Sequence, residues 1–163
     1  MGDLIVIRGN SGAGKSTVAR QLRLRIGRGC ALVEQDYLRR VLLREHDGVP
    51  DPIAPELIGL NARFALSRGY HVIVEGILDR PRYGAMLAEL IRDHDGAAYV
   101  YYLDVSFDES VRRHATRPQA TEFTAEQMRA WYRERDLLGV PGERVIPETA
   151  GPVAVLELMA RVR

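Results

Sequence analysis

Five short apolar runs punctuate this chain, and in the stretches between them apolar positions fall three or four residues apart. The runs are "LIVIR" (4–8), "ALVE" (31–34), "YHVIVE" (70–75), "AAYVYYLDV" (97–105) and "ERVIPE" (143–148). Their lengths and their β-branched and aromatic content predict strands, and the unbroken first run predicts one buried on both faces. Val18, Leu22 and Ile26 predict a helix from Lys15 to Ile26 that ends at Gly27 and Gly29. Further helices are expected at Tyr37–Leu43, at Pro55–Ser67, around Tyr83–Arg92 and at Phe107–Thr116. Another opens at Thr124, with Glu126 and Gln127 in its first turn, and a last one runs from Val153 to Val162. "EHDGVPDPIAP" (45–55) reads as a loop. Strands that alternate with helices predict an α/β fold with a parallel sheet covered on both faces. In such sheets ligands bind beyond the carboxyl ends of the strands, so the residues directly after each run carry the chemistry.

Composition narrows this picture in three ways. A length of 163 residues suits one domain, residues 1–163, and no apolar run approaches the ~20 residues that span a bilayer. "MGDLIVIRG" lacks a basic region before a long apolar core, so it reads as the first strand and not as a signal peptide. The single cysteine, Cys30, has no partner for an internal disulfide, and a reducing cytoplasm is the expected location. The net charge of +1 advertises neither nucleic acid nor an acidic membrane. Of 23 basic residues only Lys15 is a lysine, so one position in the chain calls for a compact ammonium on a flexible stem.

That lysine lies in "GNSGAGKS", a full G-x-x-x-x-G-K-S pattern between the first strand and the first helix. Gly9, Gly12 and Gly14 let the backbone approach phosphates closely, with Asn10, Ser11 and Ala13 completing the loop. The helix N-terminus behind it favours negative charge. Lys15 can reach the β- and γ-phosphates, Ser16 can hold Mg²⁺, and Thr17 sits where it could meet the α-phosphate. The chain is therefore expected to bind ATP with Mg²⁺.

The other strand ends add carboxylates. Asp36 follows the second run, and it is either a catalytic group or a cap on the helix beginning at Tyr37. Glu75 ends the third run where a metal-organising acid would stand, and Asp104, at the end of the fourth, reads as structural. Arg113 and Arg117 are four apart on one helix, and Pro118 then stops it, the spacing of an arginine lid over a triphosphate. Arg112 reads as solvated. Met128, Trp131 and Tyr132 read as packing residues, and the four histidines have no metal-ligand spacing.

A P-loop after the first strand, an acid after the second and "YYLDVSFDESVRRHATRP" further on together resemble the small P-loop kinases, such as shikimate kinase, gluconate kinase and chloramphenicol phosphotransferase. The resemblance covers most of the chain. It implies the three-layer sandwich of P-loop NTPases, with strand order 2-3-1-4-5 and an Arg-bearing lid at about 106–137. It also implies transfer of the γ-phosphoryl group of ATP to a hydroxyl of a small-molecule acceptor. "DYLR", Asp36 to Arg39, is similar to the D-x-x-R element of polynucleotide 5′-hydroxyl kinases, and the segment from Val111 to Tyr132 is similar to the lid and following helix of the phage enzyme. There the aspartate faces the attacking hydroxyl and the arginine a substrate phosphate. A near-neutral chain lacks the basic stripe of a polynucleotide site, so nucleic acid is the less favoured acceptor. Arg39, Arg40, Arg44, Arg80 and Arg82 make a small basic group that would also suit an acidic small molecule. On this reading Asp36, Lys15, Arg113 and Arg117 carry catalysis, Ser16 and Glu75 organise the metal, and Asp36, Arg39, Arg40, Glu75, Arg80 and Arg82 line the acceptor side. A nucleotide-binding regulator or slow ATPase with no acceptor is the alternative of a different class. The acceptor and the oligomeric state are not legible in the sequence.

Overall fold

Leu4–Gly9 (β1) has no exposed residue, because it runs down the middle of the sheet with helices on both sides. The computed structural model describes residues 1–160, and the expected last helix runs past them at Val162. Four more strands pair in parallel around β1: Cys30–Glu34 (β2), His71–Gly76 (β3), Ala98–Asp104 (β4) and Arg144–Pro147 (β5). Their order is 2-3-1-4-5, the arrangement implied by the family resemblance.

The two-residue period of β1 divides the core. Leu4 and Val6 face one side and pack with Ile58, Ala62 and Leu66 of Ala54–Ser67 (α2) and with Tyr83, Leu87 and Leu90 of Arg80–Arg92 (α3). Ile5 and Ile7 face the other side and meet Val18, Ala19 and Leu22 of Lys15–Ile26 (α1), with Val155 and Met159 of Pro152–Met159 (α6) behind them. Each helix presents apolar residues three or four apart, so the sheet is covered twice by the patterns visible in the sequence. Phe107–Ala115 (α4) and Ala125–Trp131 (α5) occupy the stretch where the lid is expected, with a 3₁₀ turn at Pro118–Thr121 between them. Thr124 caps α5 through a reciprocal capping box with Gln127, and Ser106 caps α4 by accepting the Glu109 N–H.

Two elements depart from expectation. α3 begins at Arg80 rather than near Tyr83, because Pro81 occupies the first turn, where its missing N–H has no helical partner to lose. The helix after β2 is a π-helix, Tyr37–Leu42, in which the Leu43 N–H reaches the carbonyl of Leu38, five residues back. The Asp36 backbone is itself helical, and its side chain makes no capping bond. Asp36 therefore does not cap this helix. Among the described residues no helix is long and apolar enough to cross a membrane.

Candidate active site

The phosphate-binding loop lies between β1 and α1, and its shape depends on glycines for two reasons. Gly12 has a φ of 80° and lies so close to α4 that a Cβ would come within 2.6 Å of the Ser110 carbonyl oxygen. Gly14, at the N-cap of α1, brings no side-chain acceptor, so the first amides of the helix stay available to an anion. Lys15 is buried, and its Nζ donates to the Asn10 carbonyl at 2.7 Å. Burial pulls its ammonium down to about 8, while the carboxylates of Glu75 and Asp36 pull it up and Arg117 pushes it down again.

Glu75 is the last residue but one of β3, which pairs with β1, and it is 3% exposed. The Ser16 hydroxyl donates to its Oε1 at 3.0 Å. Desolvation raises the Glu75 carboxyl, against the pull of Lys15 and the Ser16 hydrogen bond. A hydroxyl and an acid side by side at the mouth of the loop fit Mg²⁺, which keeps most of its shell as water and phosphate oxygen. They would not fit a metal held wholly by protein, and among the described residues no group of three or more His, Cys, Asp or Glu gathers.

The two arginines, Arg113 and Arg117, line one pocket beside the phosphate loop. Burial and the neighbouring Arg113 hold the half-buried Arg117 guanidinium down, while Glu75 pulls it up, and Lys15 feels its charge. Arg113 is tied down by hydrogen bonds: it donates to Glu109 at 2.7 Å, to the Ala13 carbonyl of the phosphate loop at 3.4 Å and to the Glu148 carbonyl at 3.1 Å. Hydrogen bonds from Arg112 and Arg113 hold the Glu109 carboxyl down at about 2. Arg113 thus lies along a largely apolar pocket beside the phosphate loop, floored by Val18, Leu103, Val105 and Ile146. Arg112, expected to be solvated, is exposed and pairs with Glu109.

A second, polar cleft adjoins the phosphate loop at Ser11 and is lined by Asp36, Arg39, Arg40, Asp79 and Arg82, with Phe123 and Trp131 as its apolar wall. Arg40, four residues on and so on the same helix face, lies 3.8 Å from the Asp36 carboxylate. Arg39, expected to face the acceptor, donates to Asp47 of the 45–55 loop and lines the cleft. The guanidinium of Arg40 lies 5.8 Å from the ring centres of both Phe123 and Trp131. Arg80 spends its backbone N–H on Asp136 at 2.8 Å and is not among the described residues lining the cleft.

Several participants were not singled out from the sequence. Gln35 is buried at the end of β2; its Oε1 accepts the Leu78 N–H at 2.9 Å and fixes the β3–α3 loop over the cleft. A Cβ on Gly76 would lie 2.3 Å from that Oε1, so a glycine is needed there. Arg133 lines the cleft, with its backbone held by Asn10 of the phosphate loop. Trp131 was expected to pack, as Met128 and Tyr132 do, but it faces the cleft. Arg8, which ends the first apolar run, is fully buried. It donates to the Leu78 and Asp136 carbonyls and pairs with the Asp136 carboxylate at 3.0 Å.

Comparison with known proteins gives a consistent picture. The profile of a protein family described as an AAA domain matches residues 4–138. No curated protein sequence matches the chain. Among solved structures, the APS kinase of Mycobacterium tuberculosis, in complex with AMPPNP and APS, superposes with a TM-score of 0.77 at 16% identity, covering 99% of this chain and 96% of that one. A gluconokinase from Sinorhizobium meliloti 1021 does so with a TM-score of 0.66 at 18% identity, covering 98% and 94%. A chain of the Pnkp1/Rnl/Hen1 RNA repair complex gives 0.59 at 22% identity, covering 78% of this chain and 42% of that one.

Proposed function

The chain belongs to the AAA-domain family, and from that premise we propose that it is an ATP-dependent phosphotransferase acting on an alcohol group of a small molecule. The observation that carries the proposal is that two sites adjoin the phosphate loop: an apolar pocket at Ala13, Gly14 and Thr17, and a polar cleft at Ser11 that contains Asp36. The loop amides and Lys15 would hold the triphosphate, and the apolar pocket beside Arg113 would take the nucleoside. Mg²⁺, held through Ser16 and Glu75, would neutralise phosphate charge when bound. Arg117 would meet the transferring phosphoryl group. Asp36 would orient the attacking hydroxyl and take its proton late, as suits a loose transition state in which positioning outweighs proton abstraction. Arg39, Arg40 and Arg82 give the cleft an anion-binding character, so the favoured acceptor carries an acidic group.

A regulator or slow ATPase would have no use for a second lined cleft. A polynucleotide end is the second reading, favoured by Asp36 and Arg39 and by the similarity to a chain of the RNA repair complex. The test is ATP consumption with matched acceptors: gluconate against glucitol, glucose 6-phosphate against glucose, and a 5′-hydroxyl oligonucleotide. Acceleration by the acidic member of a pair supports the proposal, acceleration by the oligonucleotide alone supports the second reading, and no acceleration by any of them overturns both.

A further inference from the structure

Asn10 occupies the second position of the phosphate loop, where the G-x-x-x-x-G-K-S pattern places no demand on the side chain. It is nonetheless 5% exposed and fully engaged. Its Nδ2 donates to the Arg133 carbonyl at 2.7 Å, and its Oδ1 accepts the Arg133 N–H at 2.9 Å. An amide is the side chain that offers one donor and one acceptor in a plane, and here it pairs with both polar groups of one distant residue. The same Nδ2 lies 3.4 Å from the Tyr102 hydroxyl, which in turn accepts the Asp136 N–H at 3.1 Å. The Asn10 main chain faces the nucleotide side, its carbonyl accepting the Lys15 ammonium at 2.7 Å and the Ala13 N–H at 3.2 Å. One residue therefore touches the phosphate-binding lysine with its backbone and the wall of the acceptor cleft with its side chain.

We propose that Asn10 is a positioning residue that transmits nucleotide binding to the acceptor cleft, by setting the position of Arg133 and, two residues earlier, of Trp131. A triphosphate competes with the Asn10 carbonyl for the Lys15 ammonium, and the adjustment of the loop passes through the side-chain amide to the Arg133 peptide. The acceptor wall is thereby fitted to the loaded loop. This inference rests on the nucleotide-binding part of the proposed function and not on the identity of the acceptor.

Trp131 is the only tryptophan in the chain, and it packs edge-on against Phe123 at 5.4 Å, so its emission reports the wall directly. The probe is MgAMPPNP, with binding followed by calorimetry and each protein brought to saturation. The wild type is expected to bind with a change in Trp131 emission. Asn10→Ala is expected to lose that change at saturation. Arg133→Ala is expected to keep it, because the contact runs through the backbone. A full emission change in Asn10→Ala, no change in the wild type, or loss in Arg133→Ala would each overturn the proposal. Hydrogen exchange of the Arg133 amide in the wild type needs no variant: MgAMPPNP should alter its protection, and an unchanged rate also overturns it. A silent calorimetric trace for the wild type shows instead that the nucleotide reading itself has failed, and the inference falls with it.

Discussion

Lys15 should take up a proton when the nucleotide binds at alkaline pH. Burial holds its ammonium at about 8 against an ordinary value of 10.5, so the free protein loses this charge within reach of ordinary buffers. Phosphate oxygens beside Nζ favour the charged form and return it to the ordinary range or above. Uptake should then be ~0.1 proton at pH 7, ~0.5 at pH 8 and ~0.9 at pH 9. Affinity should fall about tenfold between pH 7 and pH 9, about 1.4 kcal/mol. Titration calorimetry with MgAMPPNP in buffers of different ionisation enthalpy measures both quantities. The nucleotide phosphates are already ionised across this range and do not obscure the result. The protein alone should behave oppositely. Between about 8 and 10.5 the unfolded chain binds more protons at this site than the folded one, so the Lys15 contribution to stability rises with pH while nucleotide affinity falls. Glu75 is the carboxylate that most supports the charge, so Glu75→Gln should move the midpoint of uptake below pH 8. Uptake near zero at pH 9, with flat affinity, would refute the account of Lys15.

Asp36→Asn should leave unfolding stability within about 0.5 kcal/mol, because no capping bond is lost, where removal of a true cap costs about 1 kcal/mol. The same variant should bind nucleotide normally and lower transfer about 10²–10⁴-fold; a large stability loss measured in urea would restore the cap. Arg117→Ala should lower kcat by up to about 10³–10⁵-fold with little change in nucleotide KM, whereas Arg113→Ala should act mainly on nucleotide KM. Steady-state kinetics that show the reverse split would contradict the separation of the two arginines. Arg8→Ala strips the buried partner from Asp136 and should destabilise by about 3–5 kcal/mol, seen as a lower urea midpoint at unchanged slope.

What the sequence made legible was whatever depends on neighbours along the chain. The strands and helices follow from apolar periodicity, and the phosphate loop from residues within a single turn. The N-terminus of α5 was readable because its capping box spans four residues. The cleft was only half visible. Asp36 and the arginines could be picked out by type, and helical spacing brings Asp36 and Arg40 together, but the bond from Arg39 to Asp47 on the following loop has no local signature. Asn10 and Arg133 stand 123 residues apart, and Gln35 and Leu78 stand 43 apart. No local pattern links such pairs, and each looks like an ordinary polar residue until the sheet brings them together. Trp131 misled for a related reason: helical spacing tells that a residue faces something, not whether that is core or cleft.

The burial of Arg8 also bears on the order in which the molecule assembles. β1 is the first strand to be synthesised, yet its guanidinium is satisfied by the Leu78 carbonyl, by Asp136 and by Glu143, which lies 3.5 Å away. A nascent chain that has emerged only as far as the lid can stack strands against β1, but it must leave this cation in water or bury it without its carboxylates. Arg8 therefore gains its carboxylate partners only when residues 136–143 arrive, and loop closure over that distance precedes the reward. The segment that leads out of α5 is thus tied to the middle of the sheet through a side chain of its first strand.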